Sequence, residues 1–467
     1  MGPRFKNLDR DTPLLLPPNL RDWLPDDHLV HFVLDAVAAL DLRGFRVNTR
    51  GTGDEQFPPS VLLALLIYSY ATGTFGSRRI EPSTYDRVPV RVLTADSHPD
   101  HDTICAFRAQ NKALFRECFV KVLQLAGALK VAKFGQVAVA ADGTKILAHA
   151  SKHSAVSCER AGQTIEQLEL EGQQLLAKAE DADATPLEDG LTIPEEIVRR
   201  EERQAQLAPA RAAIEARAHA RYAIEWAAHE AKLAARQARQ ARGETVRGPG
   251  PQAPTPEPQP KDQYHFTDPE SRIMKAGNGN HFEQAYNAQA AVTVDSRLIV
   301  GEGVSAAPND KEQLVPTVAA IPTAVTDVAA VLVDNGFFSE AAVRAVEQTP
   351  TGEPTGTVVY AAVEKSGHHR SVGDLEKKAD PEPPPAGSSG TAVMRQRLQT
   401  KAGQALYKLR QQTVEPVFGI IKSVLGFGQF LLRGLEKVSL EWTLVCRSYN
   451  FRRLHRLGLG EQLAAAG

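Results

Sequence analysis

The sequence contains little cysteine and no long apolar run. Its four cysteines, Cys105, Cys118, Cys158 and Cys446, are scattered and form no Cys-x-x-Cys pair. This pattern excludes a disulfide framework and is typical of a reducing compartment. The longest apolar run, Val61 to Ile67, is far shorter than the roughly 18 residues that a membrane helix needs, and the polar N-terminus is unlike a signal peptide. The sequence therefore predicts a soluble, cytoplasmic protein.

The chain also lacks an excess of either charge. Its formal net charge is -2 over 467 residues, which by itself argues neither for nor against a nucleic-acid partner. The distribution is uneven, because the segment from Lys401 to Arg456 has ten Lys and Arg side chains against three acids. Although the net charge of the whole chain is close to zero, its C-terminal region is therefore basic, which favours a partner that carries phosphate groups.

Hydrophobic periodicity divides the chain into several parts. Helical spacing dominates residues 1–130, whereas alternating strands and helices in 131–155 and 261–460 predict an α/β core with a mixed sheet flanked by helices. Residues 156–247 combine strong helix formers with a thin apolar seam, which predicts a helical insertion. Residues 248–260 carry six prolines and predict a linker without a fixed fold.

Two apolar segments that predict buried strands each end in an acid with a glycine close behind it. They read AVAADGT and VLVDNGF, and the acids are Asp142 and Asp334. Either acid alone fits an ordinary turn or a helix cap. Two of them at strand ends in one α/β domain favour a binding site, because such sheets usually hold ligands there.

The chemistry of paired carboxylates indicates what would bind at these strand ends. Two neighbouring carboxylates repel each other, and a divalent cation removes that penalty. Mg²⁺ prefers oxygen ligands and needs only one or two protein carboxylates beside substrate phosphate. A third carboxylate would allow two ions, roughly 3.5–4 Å apart, that act on the attacking and leaving oxygens of an in-line phosphoryl displacement.

The candidate for the third carboxylate is Glu415. It precedes Pro416, and a residue before proline is disfavoured in α geometry, so we predict that Glu415 lies at a kink or at a helix start. Lys422 follows two helical turns later on the same face and suits a phosphate contact. Without the two aspartates, the spacing of Glu415 and Lys422 is also explained by an ordinary helix face that is exposed to solvent.

Together these motifs resemble a known family. VAADGT, LVDNGF and the pattern Y-x-x-R followed by E-x6-K, carried by Tyr407, Arg410, Glu415 and Lys422, look like the Asp-Asp-Glu signature of bacterial insertion-sequence DDE transposases, whose core is ribonuclease-H-like. The segments LPDDHLVHFVLD, PDHDTICAFR and PNDKEQL resemble the N-terminal and middle parts of one such family. The pattern departs at one point, because four residues instead of three separate Arg410 from Glu415. On a straight helix they lie about 140° apart, and we expect a kink at Pro416 to restore their alignment.

The resemblance implies an α/β, ribonuclease-H-like mixed sheet flanked by helices, with an N-terminal helical domain that binds DNA ends or dimerises. It makes Asp142, Asp334 and Glu415 the catalytic triad and the ligands of two Mg²⁺ ions, for which Mn²⁺ can substitute. DNA contacts are expected from a set of C-terminal side chains, namely Tyr407, Arg410, Lys422, Arg433, Arg447, Arg452 and Arg453.

The implied activity is that of a DNA transposase, which cleaves phosphodiesters at transposon ends and transfers the freed strands into target DNA. We expect a homodimer in the active complex, no membrane partner, and a place in the bacterial cytoplasm, on the nucleoid when DNA is bound. Two alternatives stay open, namely a metal-dependent nuclease on the same core without strand transfer and an inactive DNA-binding remnant. The insertion is either a module that contacts DNA or a second protomer, or a solvated hairpin in a surface loop.

Overall fold

The computed structural model describes most of the chain. The described residues are 19–46, 56–151, 154–181, 193–243, 248–260, 262–275, 281–363, 380–385 and 387–466. Residues 1–18, which the sequence analysis assigns to the N-terminal helical domain, lie outside them. The chain divides into two compact units, the first with Met1–Leu147, Ala276–Gly279 and Ala285–Gly467, and the second with Ala148–Lys275 and Asn280–Gln284.

The N-terminal part of the first unit is helical, as the sequence predicts. Its helices are α1 (Leu29–Ala38), α2 (Pro59–Ala71), α3 (Ser77–Asp86), α4 (Val88–Thr94), α5 (His101–Gln110) and α6 (Lys112–Ala128). Proline suits the first turn of α2, because a helix leaves the nitrogens there without a helical partner. Asp100 caps α5 by accepting the Thr103 N–H at 2.6 Å. α2 is buried along most of its length and lies at the centre of this helical layer.

The sheet of the first unit contains β1 (Gln136–Leu147), β5 (Phe282–Thr293), β6 (Ile299–Ser305), β7 (Asp327–Val333) and β8 (Val358–Ala361). β1 pairs antiparallel with β5, and β5 with β6, whereas β7 runs parallel to both β1 and β8. Among these five strands the spatial order is therefore β6-β5-β1-β7-β8. This mixed sheet with helices around it confirms the predicted fold class and is consistent with a ribonuclease-H-like core.

β1 does not end at Asp142, contrary to the prediction. The strand continues to Leu147, because its antiparallel partner β5 stays alongside it for its whole second half. What ends near Asp142 is the parallel pairing with β7, whose last partners are Ala140 and Leu332. β7 itself stops one residue before Asp334, so this acid does follow a strand end as predicted.

Helices also cover the C-terminal part of the first unit. They are α9 (Leu314–Ala319), α10 (Glu340–Glu347), α11 (Gly390–Gln399), α12 (Lys401–Gly419), α13 (Leu435–Arg456) and α14 (Leu459–Ala466). A π-helical turn, Ile420–Val424, follows α12 directly. α12 packs on β1 and β7, and α13 packs on both β6 and α2, so α13 joins the helical layer to the sheet. In the parts of the chain that the structure describes, no helix is long and apolar enough to cross a membrane.

The second unit contains the predicted helical insertion. Its elements are α7 (Cys158–Asp181), α8 (Ile193–Ala241) and the short strands β2 (Ala155–Ser157), β3 (Gln263–His265) and β4 (Arg272–Lys275). α7 packs against α8, and β2 pairs with β3. Its hydrophobic core cluster is small, with Val156, Ala161, Leu207 and Ala210 fully or almost fully buried. The strong helix formers and the narrow stripe of apolar residues in this part of the sequence thus suffice to predict these helices.

The proline-rich segment 248–260 does not lack a fixed fold, contrary to the prediction. Arg236 of α8 donates to the Gly248 carbonyl at 2.7 Å, and the His229 ring hydrogen-bonds to the Pro251 carbonyl at 3.2 Å. Proline has no N–H to donate, but its carbonyl still accepts. A proline-rich segment can therefore dock along a helix that presents donor side chains, and composition does not reveal this.

The loop between the π-helical turn and α13 is tied to the end of β1. The Leu147 N–H donates to the Gly428 carbonyl at 3.1 Å, and the Leu147 carbonyl accepts the Phe430 N–H at 2.8 Å. Glu441 of α13 is fully buried, and its Oε2 accepts the N–H groups of Leu431 and the next residue at 3.0 Å each. Glu441 thereby fixes the loop that holds the far end of β1.

We predict that Glu441→Leu lowers the thermal stability strongly. The substitution removes the Glu441 acceptor from two partly buried backbone N–H groups, at a cost of up to about 1–3 kcal/mol each. Glu441→Gln keeps an oxygen acceptor at this position and should lose much less. Thermal unfolding of both variants and the wild type checks this, and equal midpoints for the two variants would contradict the role of Glu441 as an acceptor.

Candidate active site

Asp142 and Asp334 lie side by side at one end of the β1–β7 pairing. β1 and β7 pair in parallel up to the position two residues before each acid, so the same register brings the two acids together. A backbone amide orients each carboxylate. The Gly143 N–H donates to Asp142 Oδ1 at 2.8 Å, and the Gly336 N–H donates to Asp334 Oδ1 at 2.8 Å.

The pKa of Asp142 is shifted from its usual value. Burial raises its pKa to about 6 against the opposing effect of Arg410, and the negative charges of Asp334 and Asp310 add to the rise. The Arg410 guanidinium donates to Asp142 Oδ2 at 3.1 Å. Both carboxylate oxygens of Asp142 therefore have a donor. An acid with a raised pKa beside a second acid is typical of functional sites.

Helix α12 brings Tyr407 and Arg410 to the two acids. The Tyr407 hydroxyl donates to the carbonyl of Val333, the residue before Asp334, at 3.1 Å. Arg410 lies one turn later on the same helix and contacts Asp142. These residues thus connect α12 to Asp142 on β1 and to the last residue of β7, directly before Asp334.

Among the residues that the structure describes, Glu415 does not form a three-carboxylate metal site with the acid pair. Its side chain is exposed, whereas the neighbouring Val414 is fully buried. Among the residues that the structure describes, no group of three His, Cys, Asp or Glu side chains could hold a metal ion. Glu415 also lies at no helix start, since α12 runs unbroken from Lys401 to Gly419 with Pro416 inside it. The alignment with Arg410 that we expected from Pro416 is absent.

The position of Glu415 is explained by the extra residue in the pattern Y-x-x-R followed by E-x6-K, which we call the accessory pattern. Each residue turns an α-helix by about 100°, so a fourth intervening residue turns Glu415 about 100° further from Arg410. Val414 then takes the buried position that faces the sheet. The π-helical turn after α12 reverses part of this rotation, because it takes more residues per turn. Lys422, inside that turn, reaches the sheet, and its Nζ donates to the Lys145 carbonyl at 2.8 Å.

The predicted DNA contacts of the C-terminal region differ in burial. Arg433 is exposed, while Arg452 and Arg453 are partly buried and donate to main-chain carbonyls. Arg447 is only 3% exposed, its guanidinium lies 5.4 Å from the centre of the Phe119 ring, and burial lowers its pKa to about 10. The prediction of Arg447 as a DNA contact is wrong, because α13 is enclosed by β6 and by helices of the N-terminal layer.

Sequence reasoning missed a polar cluster that covers Gly143. The side-chain amides of Asn287 and Gln289 on β5 each donate to Asp310 Oδ1 at 2.7 Å. A Cβ atom at Gly143 would lie 2.4 Å from that oxygen, so glycine is the residue that leaves room for it. A signal was present in QAYNAQAAV, where the two amides alternate with alanine on a buried strand and so share one face.

Comparison with known families bears on these residues. A family model described as Transposase DDE domain matches residues 384–455, and one described as Transposase domain (DUF772) matches residues 18–110. No curated protein and no solved structure matches the chain. The resemblance to insertion-sequence DDE transposases is confirmed by the two matches. The first match contains the accessory residues around Arg410, whereas Asp142 and Asp334 lie outside both.

We predict that Gly143→Ala lowers the free energy of unfolding. Its methyl group would lie 2.4 Å from Asp310 Oδ1 and 2.5 Å from Gln289 Nε2, and overpacking of this kind costs typically about 1–3 kcal/mol. Gly303→Ala is the matched control, because Gly303 pairs with Gln289 from β6 and a Cβ there meets nothing within 4 Å. Urea unfolding should show a larger loss for the Gly143 variant, and equal losses would refute the steric cause.

Proposed function

We propose, with the two transposase domains as the premise, that this protein is a DDE-type DNA transposase that cuts DNA at the ends of a mobile element and joins these ends to target DNA. The observation that supports this most is the pair Asp142 and Asp334, with Arg410 of the matched DDE region bonded to one of them. Since both aspartates lie outside the matched regions, the geometry and the family matches are separate lines of support.

The acid pair fits a divalent cation. Asp142 and Asp334 offer carboxylate oxygens, the ligands that Mg²⁺ prefers, and this ion needs only one or two of them beside phosphate oxygens. The raised pKa of Asp142, to which burial and the charge of Asp334 contribute, reflects a penalty that a cation removes. When bound, divalent cations supply activation of the attacking oxygen and stabilisation of the leaving oxygen. We propose two Mg²⁺ ions, with Mn²⁺ as a substitute.

Glu415 is the third metal ligand in this proposal. From its exposed position it reaches the acid pair only if this part of α12 turns by about 100°. Pro416 weakens the helix beside it, because proline removes one backbone hydrogen bond. The π-helical turn Ile420–Val424 offers a second place where the rotation is absorbed. We propose that DNA and metal binding together drive this turn.

Both steps of the proposed reaction are in-line displacements at phosphorus. In the first, a water oxygen bonds to phosphorus and the bond to the 3′ oxygen breaks, which leaves a 5′ phosphate and a free 3′ hydroxyl. In the second, that hydroxyl attacks a phosphodiester of the target. One phosphodiester forms for each that breaks, so the joining step needs no nucleotide cofactor. Arg410 and Lys422 add positive charge beside the transferred phosphate.

DNA is the partner that the transposase matches imply. We propose that Arg433, together with Arg452 and Arg453 at the end of α13, contacts phosphates, which positions DNA without reading its sequence. The N-terminal helical layer, which the second family model matches, is proposed to bind the transposon ends or to form a homodimer in the active complex.

We predict that Asp142→Asn abolishes Mg²⁺-dependent cleavage of a duplex that carries the DNA flanking the coding region. The amide loses the negative charge that a metal ligand needs, so the rate should fall by at least about 100-fold, with DNA affinity unchanged within a few-fold. Gel analysis of cleaved and joined products measures both steps.

Asp295→Asn is the matched control for this experiment. It makes the same substitution at an exposed turn after β5, and it should keep wild-type cleavage. Cleavage by the Asp142 variant at the wild-type rate would remove Asp142 from the site. Cleavage by the wild type without any joined product would favour the nuclease alternative.

We predict that Arg433→Ala weakens DNA binding and that Arg447→Met does not. Arg433 is exposed, whereas Arg447 lies in the core and cannot reach a phosphate. Loss of one phosphate contact lowers the slope of log affinity against log salt by about 0.9. Fluorescence anisotropy over a salt series measures the slopes, and a loss confined to Arg447→Met would reverse the assignment.

A further inference from the structure

Lys145 lies on β1 beyond the first acid, in a polar patch of the sheet. The β1–β5 register places Lys145 opposite Asn287 and Gly143 opposite Gln289. Alternate residues of a strand share a face, so these four positions form one patch on strands that are otherwise mostly apolar. The Asp310 carboxylate lies over Gly143 in this patch and accepts hydrogen bonds there from the side-chain amides of Asn287 and Gln289.

The Lys145 ammonium has no hydrogen-bond partner among the residues that the structure describes, although it is shielded from solvent. Burial lowers its pKa, and the charges of Asp310, Asp142 and Asp334 oppose that shift. The ammonium thus lies within the electrostatic field of three acids and bonds to none of them. An ammonium that is buried without a partner is unfavourable, which indicates that its partner is a bound molecule.

Lys422, the lysine that the accessory pattern assigns to phosphate binding, is placed differently. Its Nζ donates to the main-chain carbonyl of Lys145 at 2.8 Å, so it is engaged in holding α12 and the π-helical turn to β1. The Lys145 ammonium has no such engagement. Lys145 is only partly buried as a residue, and its long, flexible stem can bring the ammonium to the surface without a shift of β1.

The charge of the group indicates the chemistry of its partner. An ammonium excludes a metal ion as its direct partner and favours an anion. The nearby acids repel a free anion, but a phosphate that enters with divalent cations brings its own compensation. We propose that Lys145 donates a hydrogen bond to a phosphate oxygen of the DNA at the catalytic site. This proposal rests on the proposed function, since it takes the phosphate to be that of DNA.

The test compares full-length wild type with Lys145→Met, Lys145→Arg and Lys422→Met. The probe is a fluorescein-labelled duplex from the DNA beside the coding region, with Ca²⁺, which takes oxygen ligands as Mg²⁺ does. Affinity is measured between about 50 and 200 mM KCl, where one lost phosphate contact lowers the salt slope by about 0.9. We expect this loss in Lys145→Met and the wild-type slope in Lys145→Arg, which keeps the charge.

A wild-type slope for Lys145→Met overturns the proposal, whatever Lys422→Met shows. Thermal unfolding checks that Lys145→Met is folded, which we expect because the substitution removes an unpaired buried charge. If Lys145→Met does not fold, Lys145→Gln is measured in its place. Cleavage of the same duplex by the wild type with Mg²⁺ is scored separately. Absence of cleavage contradicts the proposed function, whereas the salt slope still decides whether Lys145 contacts a DNA phosphate.

Discussion

The parallel pairing of β1 with β7 is the constraint on which the candidate site depends. It carries Asp142 and Asp334, which are far apart in sequence, to neighbouring positions beyond their last paired residues. β5 continues along the other side of β1 past Asp142, so this acid is presented by a hydrogen-bonded strand and not by a loop. A strand that is hydrogen-bonded to a neighbour holds a side chain in place more firmly than a loop does, which suits a carboxylate that lies close to Asp334 despite their repulsion.

Positive side chains around the pair offset part of its negative charge before any ligand is considered. Arg410 bonds to Asp142, and the Lys145 ammonium lies in the field of Asp142, Asp334 and Asp310. Under the proposed function, a substrate phosphate that enters together with its cations brings both signs of charge and changes the net charge of the site little. In this view the helix α12 and the polar face of β5 are parts of the site. Neither adds a third carboxylate to the pair, because Glu415 on α12 is exposed.

Much of this arrangement could be predicted from local patterns. The mixed α/β class and the N-terminal helices follow from periodicity, and Asp142 and Asp334 were found because each follows an apolar segment and precedes a nearby glycine. The spacing did not explain Gly143. This glycine lies within β1 and leaves room for the Asp310 carboxylate, which approaches it only in the folded protein. Arg447 was assigned to DNA by the charge of its segment, but its helix is enclosed by the core.

The sequence by itself determined which segments become strands and helices, and which acids lie at the β1–β7 edge, because these depend on spacing along the chain. The tertiary structure alone decided the face on which each side chain lies. One added residue between Arg410 and Glu415 turns the glutamate outward, and the π-helical turn brings Lys422 back to the sheet. It also decided that the Lys145 ammonium is shielded from solvent within the electrostatic field of three acids, since that depends on strands and loops that meet only in the folded protein.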